Sequence, residues 1–343
     1  MRNVENCMAQ LFENGTVGNL VVKVGRGDRV FCEIKKSVGD GEVTDKTLFD
    51  MASVTKLMVT TPLALIAIDG GLLRLEDSVS RFFSTEKPIT VRHLLTHTMG
   101  IGHKNLTAEG NNYENIGEKI LAIPEDVAIG SDVRYSCPGF ILLGKILEKV
   151  YGKRLDACFG EQVSSPLGLT ETSFLPSKKE AAVNANVDES LRGTVNDYNC
   201  RFLGGIAGNA GLFSNLADVT KYVRFMLDRG RPLVSESVFL DAVQNKTVGM
   251  SAARGLGFLY VDERYRQAGG LFETGAVGHC GHTGQSVFVD YRSGLYAIIL
   301  SDATVSTVRK YGRERYAEVE DMRADLHAAI RADLVEQGEI RAM

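Results

Sequence analysis

The chain has no dense run of lysine and arginine, and its 39 basic residues are outnumbered by 43 acidic ones, for a formal net charge of −4. Nucleic-acid binding wants a basic face, so no nucleic-acid partner is expected. No Cys-x-x-Cys pair occurs among the six cysteines, Cys7, Cys32, Cys137, Cys158, Cys200 and Cys280. Scattered cysteines in a chain this long read as reduced thiols of a cytosolic protein. No long hydrophobic run is present: the longest apolar stretch, around residues 63–68, is far too short to span a bilayer, so no membrane partner is expected. The opening Met1-Arg2-Asn3-Val4-Glu5 lacks the apolar run of a signal peptide, and the expected location is the cytoplasm. Gly-x-Ser-x-Gly is missing, which argues against an α/β-hydrolase. Gly205, Gly208 and Gly211 form no dinucleotide fingerprint, and no phosphate-binding loop, internal repeat or low-complexity linker occurs.

What is present suits a sizeable folded domain. Of 343 residues, 44% are apolar and 24% charged, enough for a core and unlike a disordered chain. Residues 3–13 read as a short amphipathic helix. Residues 19–25 and 29–35 read as two strands joined by Gly25-Arg-Gly-Asp28, a hairpin. A helix follows Ser53 through Ile68 to Gly70-Gly71, and another begins near Thr90 within residues 88–99. Residues 139–151 make a clear helix closed by Gly152, and residues 215–228 another, capped by Ser214 or Asn215. Two strands come late, at 286–290 and 295–300, and the last thirty residues are charged and helical in period. Early and late strands most economically share one antiparallel sheet. The expected fold class is therefore α+β: a central antiparallel sheet flanked by helices, plus a mainly helical subdomain. The division is one catalytic domain over 1–343, with an α/β part at about 1–52 and 270–343 and a helical, loop-rich insertion at about 53–269. A site at the seam between sheet and insertion is expected.

Three short motifs carry chemistry. Ser-x-x-Lys occurs twice. Ser84-Thr-Glu-Lys87 runs into Pro88, which disfavours a helix there. Ser53-Val-Thr-Lys56 opens a long apolar helix, where positions i and i+3 share a face and the lysine amine reaches the serine hydroxyl. A serine hydroxyl is a weak nucleophile until a base takes its proton, and lysine serves only if its pKa falls from about 10.4. At a helix start the Ser53 N–H is also free as an oxyanion donor, although the same residue could simply cap the helix. Tyr135-Ser136-Cys137 stands just ahead of the 139–151 helix. The tyrosine could shuttle a proton beside a lysine or merely anchor a loop. Gly281-His282-Thr283-Gly284 enters the late strand pair, as a strand edge for a substrate or as a plain turn, and the Gln285 N–H could be a second oxyanion donor.

In order and context, Ser53-Val-Thr-Lys56, Tyr135-Ser-Cys137 and His282-Thr-Gly284 resemble the three motifs of the serine β-lactamase and penicillin-binding protein superfamily. The class C branch, with its esterases, DD-carboxypeptidases and D-aminopeptidases, is the more similar. Phe49-Asp-Met-Ala-Ser-Val-Thr-Lys56, Leu94-Leu-Thr-His-Thr-Met-Gly-Ile101 and Gly204-Gly-Ile-Ala-Gly-Asn-Ala-Gly-Leu-Phe-Ser214 support that likeness, which covers nearly the whole chain. The resemblance implies a β-lactamase/transpeptidase-like fold and an acyl-enzyme mechanism without metal or cofactor. It implies Ser53 as nucleophile, Lys56 as its partner and Tyr135 as general base and acid. Ser53 and Gln285 would supply the oxyanion N–H pair, and Cys137, His282, Thr283 and Gly284 would meet the substrate, with His282 where many members have lysine. Two departures stand out. Cys137 replaces an asparagine that hydrogen-bonds peptide and β-lactam side chains, and a thiol is a poor substitute. Asn196 and Asn209 stand where related sequences often carry histidine.

The expected function is a serine carboxylesterase on small esters. The alternatives are a DD-carboxypeptidase, D-aminopeptidase or weak β-lactamase, and a non-catalytic binding or sensor protein on the same scaffold. In each the partner is a small-molecule ester or amide. His93-Leu-Leu-Thr-His97 lacks the glutamate of a zinc motif, and His279-Cys280-Gly-His282 is better explained by the active-site strand, so no metal is expected.

Overall fold

The computed structural model describes residues 1–38 and 42–341. Its strands, in chain order, are β1 (Asn19–Arg26), β2 (Arg29–Ser37), β3 (Phe49–Asp50), β4 (Ser173–Phe174), β5 (Leu212–Ser214), β6 (Leu259–Tyr260), β7 (Val277–Cys280), β8 (Ser286–Asp290) and β9 (Leu295–Ser301). Early and late strands do share one antiparallel sheet, in the order β2-β1-β9-β8-β7-β6. The β1–β2 hairpin turns at Gly27, whose φ of +54° suits a residue without Cβ. The sixth strand comes from Leu259–Tyr260, ahead of the position near 270 where the sheet portion was expected to resume.

The sheet separates two cores, and alternate side chains go to opposite faces. Leu20, Val22 and Val24 join Val4 and Met8 of the Arg2–Glu13 helix and Met322, Leu326 and Ile330 of the Tyr316–Glu336 helix. Val21, Val287, Ile298 and Leu300 instead join Leu57, Met58, Tyr222 and Val223 in the larger core of the helical region. The terminal helices are tied together by Asp333, whose carboxylate accepts the Asn3 N–H at 3.1 Å and the Val4 N–H at 3.0 Å. That satisfies two otherwise orphaned donors of the first helix turn. Among the described residues no helix is long and apolar enough to cross a membrane.

Three helical segments differ from the sequence expectation, each for a local reason. The helix after Ser53 is not uniformly α: Lys56–Thr60 forms a π turn before Thr61–Asp69. The Thr61 N–H bonds Lys56 O, and Pro62, next in line, has no N–H to offer. The helix near Thr90 is short, Val91–Leu95, because the chain turns left-handed at His97, φ +60°. The helix expected from 139 starts earlier, at Cys137, because Ser136 Oγ accepts the Gly139 N–H at 3.0 Å and Pro138 sits where its missing N–H costs nothing. Asn215, not Ser214, caps the Leu216–Leu227 helix. A small sheet, β3-β5-β4, places Asp50 beside Phe213 and so brings the chain ahead of Ser53 against the glycine-rich 204–214 stretch.

Candidate active site

Ser53 stands in the opening turn of its helix, straight after a strained residue. Ala52 has φ +45°, and its N–H is held by Asp50 Oδ1 at 2.8 Å. Asp50 Oδ2 takes the Asn196 N–H at 2.7 Å, so one buried carboxylate fixes two loops at the nucleophile. Burial pushes the Asp50 pKa up to about 6, although both N–H bonds oppose the rise. Lys56 lies one turn on and is fully buried. Its Nζ donates to Ser53 Oγ at 2.9 Å and to Asn209 O at 3.0 Å, and lies 3.6 Å from Cys137 Sγ. Thr60 Oγ1 donates to Gly208 O at 2.6 Å. The 208–209 backbone can approach this closely because Gly208 passes Gly144 where a Cβ would fall 2.1 Å from Phe140 O.

Tyr135 completes the cluster: its hydroxyl donates to Ser53 Oγ at 2.7 Å. The segment carrying it is pinned from behind by His97. The His97 carbonyl accepts the Arg134 N–H at 2.8 Å, and its Nδ1 accepts the Ser136 N–H at 3.0 Å. The His97 ring lies 4.7 Å from the Tyr135 ring. His93 is occupied too, since its Nδ1 accepts the Thr90 N–H at 3.0 Å in a capping box. Both histidines therefore have structural duties. In the competing Ser84-Thr-Glu-Lys87 match, Lys87 pairs with Glu125 instead.

These groups open into a cavity of about 740 Å³ lined by Ser53, Tyr135 and Cys137 on one side and by His279, Cys280 and His282 on the other. The late motif is placed differently from the sequence expectation. His282-Thr283-Gly284 forms the turn between β7 and β8, while β7 itself ends with His279-Cys280. Gln285 is not the second oxyanion donor. Its carbonyl accepts the Gly281 N–H at 2.9 Å, and the N–H of an extended residue points the same way, so both face β7 from inside the hairpin. Its side chain donates to Ser301 O at 3.0 Å. Thr283 is buried and donates to Asp50 O at 2.9 Å, which places it beneath the nucleophile loop rather than on the substrate side. Gly284 is a packing requirement: φ is +121°, and a Cβ would fall 2.0 Å from Ser301 Oγ. Only His282 of that triplet lines the cavity. Its ring stacks on Tyr316 at 5.0 Å, and its Nε2 lies 3.3 Å from Glu314. By strand alternation the main-chain N–H of Cys280 points away from β8, past Gly278 where pairing with β6 stops.

His279 and Arg254 line the cavity, and the sequence did not single them out for this role. His279 is buried 6.2 Å from the Tyr135 ring, and its Nδ1 bonds Cys280 O at 2.7 Å. It sits one strand step before the turn, so counting back from the β8 hairpin could have found it. Arg254 Cζ lies 5.8 Å over the Tyr135 ring. Asn196 lines the cavity with its side chain donating to Ala185 O at 2.7 Å. Asn209 contributes its carbonyl to Lys56, while its fully buried side-chain amide has no partner among the described residues.

Charge is shared unevenly here. A lysine acting as a free base needs a lowered pKa, and the site does the opposite. Burial lowers Lys56, but the acidic Cys137 and Tyr135 beside it outweigh burial and leave it raised. Burial pushes Tyr135 up to about 12 despite the pull of Lys56. The Cys137 thiol is lowered: burial raises it, and the Lys56 charge with the neighbouring His103 more than reverses that. His97 and His279 are held well below the ordinary histidine value by burial first, and then by the Lys56 and Arg254 charges. At neutral pH the site thus holds an ammonium, a phenol and two neutral imidazoles.

A family model described as Beta-lactamase matches residues 2–321. The chain belongs to the beta-lactamase family. Among its relatives in that family, a putative D-alanyl-D-alanine carboxypeptidase of Escherichia coli (strain K12) is 27% identical over 313 residues, covering 78% of this chain and 71% of that protein. Esterase EstB of Burkholderia gladioli is 25% identical over 347 residues, covering 85% and 87%. The solved structure of EstCE1, described as a hydrolase with promiscuous acyltransferase activity, superposes with a TM-score of 0.75 at 22% identity over 96% of this chain and 98% of that one. A penicillin-binding protein homologue from Pyrococcus abyssi gives a TM-score of 0.73 at 18% identity, covering 97% and 81%. The α+β architecture is thus that of the beta-lactamase and transpeptidase fold, and the relatives of this serine hydrolase family named above include an esterase and a putative carboxypeptidase.

Proposed function

We propose that this beta-lactamase family member is a serine hydrolase that cleaves small carboxylic esters through an acyl-enzyme on Ser53. The observation that carries the reading is the position of Ser53 Oγ on the cavity wall, 2.9 Å from Lys56 Nζ and 2.7 Å from the Tyr135 hydroxyl. The Lys56–Tyr135 pair must first release one proton, and it then takes the Ser53 proton as Oγ bonds the ester carbonyl carbon. Negative charge moves to the carbonyl oxygen. Main-chain N–H groups suit it, one from Ser53 at the helix opening and one from the exposed side of β7 near Cys280. Collapse breaks the C–O bond, and the departing alkoxide takes a proton through Tyr135. Water repeats the sequence in reverse and frees the acid. Lys56 contributes mainly as a fixed positive charge that makes loss of the Tyr135 proton less costly.

Esters are favoured over amides because Cys137, buried against Lys56, stands where a side-chain amide would otherwise bind a peptide. The named carboxypeptidase relative motivates a second reading, action on a D-alanyl peptide or a β-lactam. Ser53→Ala should abolish hydrolysis of 4-nitrophenyl acetate, and retained turnover would sink the assignment. A D-Ala-D-Ala peptide and a chromogenic cephalosporin assayed beside that ester separate the two readings.

A further inference from the structure

Arg323, from the Tyr316–Glu336 helix, is a fully buried cation beneath the turn that ends β7. Its Nη2 donates to Gly281 O. Its Nη1 donates to Gln267 Oε1 at 2.9 Å and lies 3.5 Å from the Tyr316 hydroxyl. No carboxylate pairs with it among the described residues, and its Nε is buried without an acceptor there. Glu320, one turn back on the helix, instead accepts the Gln267 amide at 2.9 Å. Leaving a buried guanidinium with neutral acceptors is costly, and its charge is not cancelled locally.

What Arg323 holds at the turn is a single peptide group. The Gly281–His282 bond is trans, so its carbonyl and its N–H point in opposite directions. The carbonyl faces inward, where it also accepts the Gly284 N–H at 3.0 Å. The His282 N–H therefore faces outward, on the edge that carries the Cys280 N–H, and has no acceptor among the described residues. Cys280 and His282 both line the catalytic cavity. The same turn bears on the loop just ahead of Ser53. Thr283 Oγ1 donates to Asp50 O at 2.9 Å, and a Cβ on Gly281 would fall 2.8 Å from Met51 O.

We infer that Arg323 is a positioning residue for the oxyanion: it fixes the Gly281–His282 peptide against the nucleophile loop and polarises its N–H toward the substrate's carbonyl oxygen. The inference rests on the acyl-enzyme reading of the same site. A cation on the carbonyl oxygen makes the N–H at the other end of the peptide a stronger donor, as hydrogen bonds in a chain reinforce one another. Such a donor counts most when negative charge develops on the substrate. Arg323 is fully buried and does not line the cavity, so it acts through this peptide and not by contact with substrate.

The test uses 4-nitrophenyl acetate and phenylboronic acid, whose boron bonds Ser53 Oγ and becomes a tetrahedral anion resembling the oxyanion. Arg323→Gln should lower kcat by about 10–10²-fold, less than deleting an oxyanion donor outright, with KM within about threefold. Boronate affinity should fall by a comparable factor. Arg323→Lys keeps the charge and should recover part of both. The exchange Gln267→Glu/Glu320→Gln decides the matter where Arg323→Gln does not fold. It keeps the net charge and the hydrogen bonds but seats a carboxylate on Arg323. It should lower kcat by about 3–10-fold at an unchanged KM. Wild-type kcat and boronate affinity in a folded Arg323→Gln or exchange variant overturn the inference. So does a loss confined to KM. Where no ester is hydrolysed, Ser53-dependent boronate binding that weakens in these variants supports the inference and defeats the ester reading alone. Ser53-dependent hydrolysis with boronate affinity unchanged in the variants does the reverse. Absence of both turnover and Ser53-dependent boronate binding defeats both.

Discussion

Tyr135 and Ser53 lie 82 residues apart in sequence, and their hydroxyl oxygens are 2.7 Å apart in the fold. The contact is built from both sides: the Ala52 turn presents Ser53, and His97 holds the Tyr135 segment by its backbone. The hydroxyl, not the ring, carries the proton. Tyr135→Phe keeps the packing on His97 and should lower kcat/KM for a small ester by about 10²–10⁴-fold, the range of a lost general acid–base group. Steady-state kinetics checks this, and a variant within threefold of wild type would remove Tyr135 from the proton path.

The raised pKa values of Lys56 and Tyr135 fix the direction of the pH profile. Both groups are protonated at neutral pH, so the form that accepts the Ser53 proton grows as pH rises. The kcat/KM of a small ester should climb from pH 7 into the alkaline range. Cys137 is one of the neighbours that raises Lys56. Cys137→Ser removes that acidic group, which should move the rising limb to lower pH. An unmoved limb would detach Cys137 from the proton balance.

Much of the site was legible because its signals are local. Ser53 and Lys56 share a helix face three residues apart, and Pro88 after Lys87 disposed of the competing Ser84. Tyr135 announced itself by standing ahead of the strongest helix pattern in the chain. The hairpins of the sheet follow from alternation and turn residues, and both pairs formed as expected. The late motif was harder. His282-Thr283-Gly284 has the letters of a substrate strand but serves as the turn, because Gly284 alone fits against Ser301. That shifts the strand edge to His279-Cys280. Arg254 gave no sequence signal at all: a single arginine in a loop acquires a place only when tertiary packing brings it over the Tyr135 ring on the cavity wall. The π turn at Lys56–Thr60 was likewise hidden, since apolar periodicity does not distinguish it from α-helix.

Gly284→Ala tests the turn assignment. With φ at +121° and a Cβ position 2.0 Å from Ser301 Oγ, alanine meets both backbone strain and a clash. The cost should be about 1–3 kcal/mol or more, seen as a lower urea midpoint at unchanged slope. A normal midpoint with a raised KM would return Gly284 to substrate contact.

Acid should destabilise the fold through its buried histidines. His327 Nδ1 bonds Gln267 O at 2.6 Å, while Nε2 is buried without a partner among the described residues, and burial lowers its pKa from 6.5 to about 4. A depressed folded-state pKa gives stability that is complete above 6.5 and drains away as pH falls through 4. For this residue the loss amounts to about 3 kcal/mol at roughly 1.4 kcal/mol per pH unit. His97 and His279 act in the same direction. Urea unfolding from pH 7 to 4 should show the decline, and His327→Asn should flatten part of it. An identical slope in the variant would acquit His327.

The central claim is that Ser53 is the group that becomes acylated. Intact-mass and peptide-mapping spectrometry after treatment with a fluorophosphonate probe tests it most directly. The account predicts one adduct, on the peptide that contains Ser53, absent from Ser53→Ala and much slower to form in Lys56→Met. An adduct on Cys137 or any other residue, or an unmodified mass under conditions that label a control serine hydrolase, would contradict it.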